Sequence, residues 1–92
     1  MVAVQARSRR GLGQSLLAGL ADDADPADLV RAAAHAAEDV DRQIAVLDAT
    51  GRVAADTGRG SFPGSGHLVG DQMSVQGNML ASPEVLPAMA QA

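Results

Sequence analysis

Ninety-two residues of net charge −4 make at most one small domain, and the acidic balance argues against nucleic acid and anionic membrane surfaces as partners. The absence of cysteine excludes disulfides, thiolate metal sites and a thiol nucleophile; the absence of lysine excludes a P-loop lysine and Schiff-base chemistry. Hydrophobic residues make up 47 %, but many are alanine and Phe62 is the only aromatic, so the core packs thinly and invites surface from elsewhere.

In chain order, Val2–Ala6 reads as a strand and residues 7–10 as a basic turn. Ser8, Arg9 and Arg10, followed by Gly19-Leu20-Ala21, have the pattern of a twin-arginine export signal. The apolar part between them is short and holds Gly13, Gln14 and Ser15, which fits an amphipathic helix better. Leu12, Leu16, Leu17 and Leu20 recur at helical spacing and predict a helix over Leu12–Ala21. No apolar run is long enough to span a bilayer, and a cytoplasmic protein is expected.

A second helix is expected over residues 26–39. Asp25 suits the N-cap, Pro26 the first position and Asp28 the first turn. Leu29, Val30, Ala33, Ala36, Ala37 and Val40 share its apolar face; Asp28, Arg31, His35, Glu38 and Asp39 share the other. The acidic cluster reads as a cap in the helix dipole and not as a cation site.

Residues 43–47, Gln-Ile-Ala-Val-Leu, form an apolar run of the kind covered on both faces. Asp48-Ala-Thr-Gly51 is a turn, and residues 52–56 return as the second strand of a hairpin expected at the centre of a sheet. Residues 58–70 read as a glycine-rich loop. It lacks lysine and does not match GxGxxG, so it is not read as a phosphate loop. A strand over 72–76 runs into a Gly77-Asn78 corner, then a helix opened by Ser82-Pro83-Glu84. Pro87 requires that helix to kink or to start later.

Three residues are candidates for chemistry. In Gln76-Gly77-Asn78 the Asn78 carboxamide and neighbouring N–H groups could stabilise an oxyanion in acyl transfer, against a plain Gly77-Asn78 turn with Asn78 left-handed. His67 could act as a base, against a hydrogen-bonding surface histidine. Asp56-Thr57-Gly58 has a weaker pattern, that of a bond cleaved to expose a threonine. Two histidines without nearby carboxylate spacing make no metal site, and no cofactor is expected.

Several blocks in order resemble a bacterial and archaeal family, domain of unknown function 1028, in its distal part. They are Val2–Gln5, Leu16-Leu-Ala-Gly19, Asp41-Arg-Gln-Ile-Ala-Val-Leu-Asp48, Gly51-Arg-Val-Ala-Ala55, Thr57-Gly58, Gly66-His67, Gly70, Gln76-Gly-Asn-Met-Leu80 and Pro83-Glu-Val85. The region between Gln5 and Leu16 is shorter than in that family. Ser61 to Ser65 stand where it often carries a cysteine and a tryptophan, and Pro87 intrudes into its final helix.

The resemblance implies an N-terminal-nucleophile (Ntn) hydrolase-like fold. The expected class is α+β, a fragment of an αββα sandwich of antiparallel strands with two N-terminal helices and one C-terminal helix. It further implies a partial domain over residues 1–92 without the nucleophile strand, since Val2 cannot replace an N-terminal hydroxyl or thiol. The expected function is an amide-bond hydrolase relative, inactive as this chain. The alternative is a non-catalytic interaction module. Either reading expects a homo-oligomer or a missing N-terminal segment as partner.

Overall fold

The computed structural model describes residues 1–6, 11–36, 42–58 and 64–92. The elements are β1 (Val2–Ala6), α1 (Leu12–Ala21), α2 (Pro26–Ala36), β2 (Arg42–Leu47), β3 (Val53–Thr57), β4 (Gly66–Gly70), β5 (Met73–Gly77) and α3 (Val85–Gln91). The basic turn at 7–10, the end of the expected second helix from Ala37 to Asp39 with Val40 after it, and Phe62 lie outside the described residues.

Two antiparallel sheets form, one of order β1-β2-β3 and one of β4-β5. In the first, Val2 pairs Val46 and Val4 pairs Ile44, while Val46 pairs Ala54 across the other edge. Side chains alternate along a strand, so these residues share one face. Helices α1 and α2 cover it with Leu12, Leu16 and Val30, and Ile44 and Val46 are buried beneath. The opposite face carries Gln5, Gln43 and Thr57 in one row and Ala3, Ala45 and Ala55 in the next. The β4-β5 hairpin lies on that face, and α3 packs on the hairpin from outside. The layers therefore run helices, sheet, sheet, helix, an α+β arrangement.

The local chemistry explains most boundaries. Asp25 caps α2: its Oδ1 accepts from Ala27 N at 2.9 Å, and its carbonyl accepts from Leu29 N. Gly19 lets α1 approach α2, because a Cβ there would lie 2.5 Å from Leu29 Cδ2. At the β2–β3 turn, Asp48 Oδ1 accepts from Thr50 N, Thr50 Oγ1 and Arg52 N. Gly51 follows at φ 91°, a conformation open to glycine. Partial desolvation resists ionisation of Asp48, yet the hydrogen bonds from Thr50 and Arg52 outweigh it and pull its pKa down to about 2.

Four expectations need correction. The β2–β3 hairpin is not wholly central: β2 lies between two strands, but among the described residues β3 is the edge of its sheet. Leu17 is 50 % exposed, because the sheet meets only the Leu12–Leu16 line of α1. Residues 66–70 are a strand, since β5 supplies a full ladder for them. The left-handed residue after β5 is Met79, at φ 52°, and not Asn78. Helix α3 starts at Val85, the later start that Pro87 calls for in place of a kink. Pro87 then sits in its first turn, where an N–H has no acceptor within the helix.

Candidate functional site

The polar row Gln5–Gln43–Thr57 meets the hairpin at the end where Gly66 pairs Gly77. Gln43 is 1 % exposed, yet its carboxamide crosses to the second sheet. Its Nε2 donates to the Gly66 carbonyl at 2.9 Å, to the Gly77 carbonyl at 3.0 Å and toward Thr57 Oγ1 at 3.1 Å. The carbonyls can only accept, so they fix which end of the amide faces them. Gln43 Oε1 is buried without a hydrogen-bond partner among the described residues.

The glycines at this point serve the outer layer. A Cβ on Gly77 would lie 2.7 Å from Leu80 Cδ2, and one on Gly66 would touch Leu86 Cδ1 at 3.4 Å. Their neighbours, His67 and Gln76, sit opposite each other and face the first sheet. His67 Nδ1 lies 2.7 Å from Thr57 Oγ1. Gln76 Oε1 accepts from Ser74 Oγ at 2.8 Å. Both Ser74 and Gln76 roof a cavity of about 220 Å³ whose floor includes Ala3, Ala45 and Val53.

Asn78 continues the seam on the other side. Its Oδ1 accepts from Ser65 Oγ at 3.2 Å, and its Nδ2 donates to Gln5 Oε1 at 3.3 Å. Gly64, at φ 83°, brings Ser65 into place: its carbonyl accepts from Leu80 N at 3.0 Å. The candidates His67, Gln76 and Asn78 thus share one end of the hairpin. His67 bonds Thr57, Gln76 bonds Ser74, and Asn78 bonds Gln5 and Ser65.

Gln5, Gln43 and Ser65 carried no expectation. A signal for the first two exists, since each is the one amide in its strand and is followed or preceded by an apolar run. Among the described residues, no cluster of three or more His, Asp or Glu side chains could hold a metal, and no helix is long and apolar enough to cross a membrane.

The model of a family of unknown function, DUF1028, matches residues 1–92. The chain belongs to this family. A solved structure agrees with the assignment: protein SPO2555 from Silicibacter pomeroyi, itself matched to DUF1028, has 31 % identity and a TM-score of 0.92. The alignment covers 100 % of this chain and 43 % of that one, so these DUF1028 residues span under half of the relative's length. No curated protein matches the chain.

Proposed function

We propose that these residues form part of an Ntn-hydrolase-like, amide-bond-hydrolysing domain whose N-terminal nucleophile is not among them. The observation that carries this reading is the seam of carboxamides and imidazole between two stacked sheets, at Gln76, Asn78 and His67. The helix–sheet–sheet–helix layering and the family resemblance support it. In it, the Gln76 and Asn78 carboxamides hold the substrate carbonyl, Gln76 from the roof of the Ala3–Ala45 cavity, and the chain by itself turns over no amide. Fold alone does not establish chemistry, so the test reads the site. Butyramide added to the labelled chain should shift NMR signals at Gln76 and Asn78, and a Gln76→Ala/Asn78→Ala double variant should lose them. Amide turnover by the chain that persists in the double variant would overturn both the reading and the choice of residues.

A second reading, a self-associating module, is favoured by a separate observation. The β4-β5 sheet has only two strands among the described residues, and Leu68 and Val69 on it are 39 % and 48 % exposed. Open strand edges beside exposed apolar side chains template association.

A further inference from the structure

The Thr57 hydroxyl is a half-buried nucleophilic group that the amide reading leaves unused. Among the described residues, its oxygen lies near two polar side-chain atoms, Gln43 Nε2 at 3.1 Å and His67 Nδ1 at 2.7 Å. Gln43 Nε2 offers no lone pair, and the Gly66 and Gly77 carbonyls hold it in that orientation. Of these two neighbours, only His67 Nδ1 can accept the hydroxyl proton. In that arrangement Nδ1 is the acceptor and the ring N–H sits on Nε2. A hydroxyl within hydrogen-bond distance of an imidazole nitrogen that can accept its proton is the arrangement of a nucleophile and its base.

We propose that Thr57 and His67 form an acyl-accepting site for activated esters and thioesters. Thr57 Oγ1 attacks the acyl carbon and forms the new C–O bond. The bond from that carbon to the leaving oxygen or sulfur breaks, and the leaving group takes the electron pair. The hydroxyl proton passes to His67 Nδ1 and from there to the leaving group. The product is an ester on Thr57, and no oxidant or further reactant enters. Gln43, the nearest side-chain amide donor, is committed to Gly66 and Gly77 and is not free to steady an oxyanion. The step is therefore confined to leaving groups that depart without such help, which excludes amides. It stands apart from the amide-hydrolase reading, and either can fail without the other.

The composition makes the test clean. Without lysine, cysteine or tyrosine, the competing amine is the N-terminus. The 92-residue chain is treated with p-nitrophenyl acetate and the acetylated peptide is mapped. One acetyl group on Thr57 is expected. Thr57→Val should abolish it, Thr57→Ser should keep it, and His67→Gln should slow it by about a hundredfold or more. A folded chain with no label on Thr57, or one labelled equally fast in His67→Gln, would overturn the proposal. Should the His67 variant not fold, nitrogen NMR of the unaltered protein still decides. A proton on His67 Nε2 is required, and one fixed on Nδ1 would overturn the site.

Discussion

Gln43 Nε2 donates to the carbonyl of Gly77 at 3.0 Å, a bond that spans 34 positions and ties one sheet to the other. The same nitrogen serves Gly66, the residue paired with Gly77, so one buried amide holds both strands of the hairpin. Packing places the two sheets close enough for this contact, and the contact then fixes how the hairpin sits. The seam residues on β4 and β5 inherit their positions from it.

Replacing Gln43 by methionine keeps the shape and removes the donor. Two carbonyls between the sheets then lose their side-chain donor, at about 1–3 kcal/mol for each that stays buried and unpaired. The unpartnered Oε1 disappears as well, which offsets part of that loss. A net destabilisation of about 2–4 kcal/mol is expected from urea melts. Gln43→Glu should be worse, because a carboxylate cannot donate to either carbonyl and brings a charge into a buried position. A methionine variant as stable as the parent would show that the sheets stay together without the amide.

The Asp48 turn predicts a specific acid sensitivity. The folded pKa, about 2, lies below the ordinary value of 3.8. The unfolded chain therefore binds its proton first as the pH falls. The stabilisation from ionised Asp48 is complete above the ordinary value and is lost between pH 3.8 and about 2. Thermal melts of the parent and of Asp48→Asn across this window isolate the effect. The gap between the two midpoints should shrink as the pH drops, and a gap that stays constant would refute the assignment.

Gly64 offers a backbone test. At φ 83° it is left-handed, and a Cβ there would lie 2.8 Å from the Leu80 carbonyl oxygen, which cannot swing aside as a side chain can. Gly64→Ala should cost about 1–3 kcal/mol. It should also displace Ser65 from Asn78, which crystal or NMR distances would report. An alanine variant of unchanged stability would mean that the loop adopts another path.

What could be read from the chain follows the range of the interactions. Helix α1 and strand β1 were legible over their full lengths, because local periodicity sets them. Strand β4 was not. Three residues between Gly66 and Gly70 carry little pattern, and only the β5 ladder makes them a strand. The Thr57–His67 contact joins residues ten apart across two sheets, so no local spacing announces it. His67, Gln76 and Asn78 were legible as residue types, but their partners were not. Gln5 and Gln43 show why: alternation says which face an amide takes, and only the register says what it meets there.

Ile44 tests the first sheet. It is 3 % exposed, lies on the middle strand and packs with Leu12, Leu16 and Val30. Its β3 partner is Asp56, directly opposite on the same face. Ile44→Asp would bury an unpaired carboxylate and set it against another, and both effects oppose folding. No cooperative melt is expected from circular dichroism. Ile44→Asn separates the two causes, since it removes the repulsion and keeps the burial of a polar group. It should be less damaging than Asp at neutral pH. A soluble, cooperatively melting Ile44→Asp variant would mean that this face of β2 is open to water.

The last prediction concerns association. Sheet β4-β5 presents two strands, and Leu68 and Val69 on it are exposed together with Met79 on the following turn. A two-stranded sheet is marginal in water without further strands or a covering layer, and α3 covers only its outer side. A second copy adding its own hairpin would extend the ladder and cover Val69. Sedimentation equilibrium and thermal melts over a concentration series are the measurements. A melting midpoint that rises with concentration is expected, because whatever binds the folded chain stabilises it by mass action. Val69→Lys places a charge on the open sheet and should return the protein to monomer with a concentration-independent midpoint. A parent chain that is already monomeric, with a midpoint unchanged across the series, would remove the self-association reading and leave the hairpin closed by Gln43 and α3 alone.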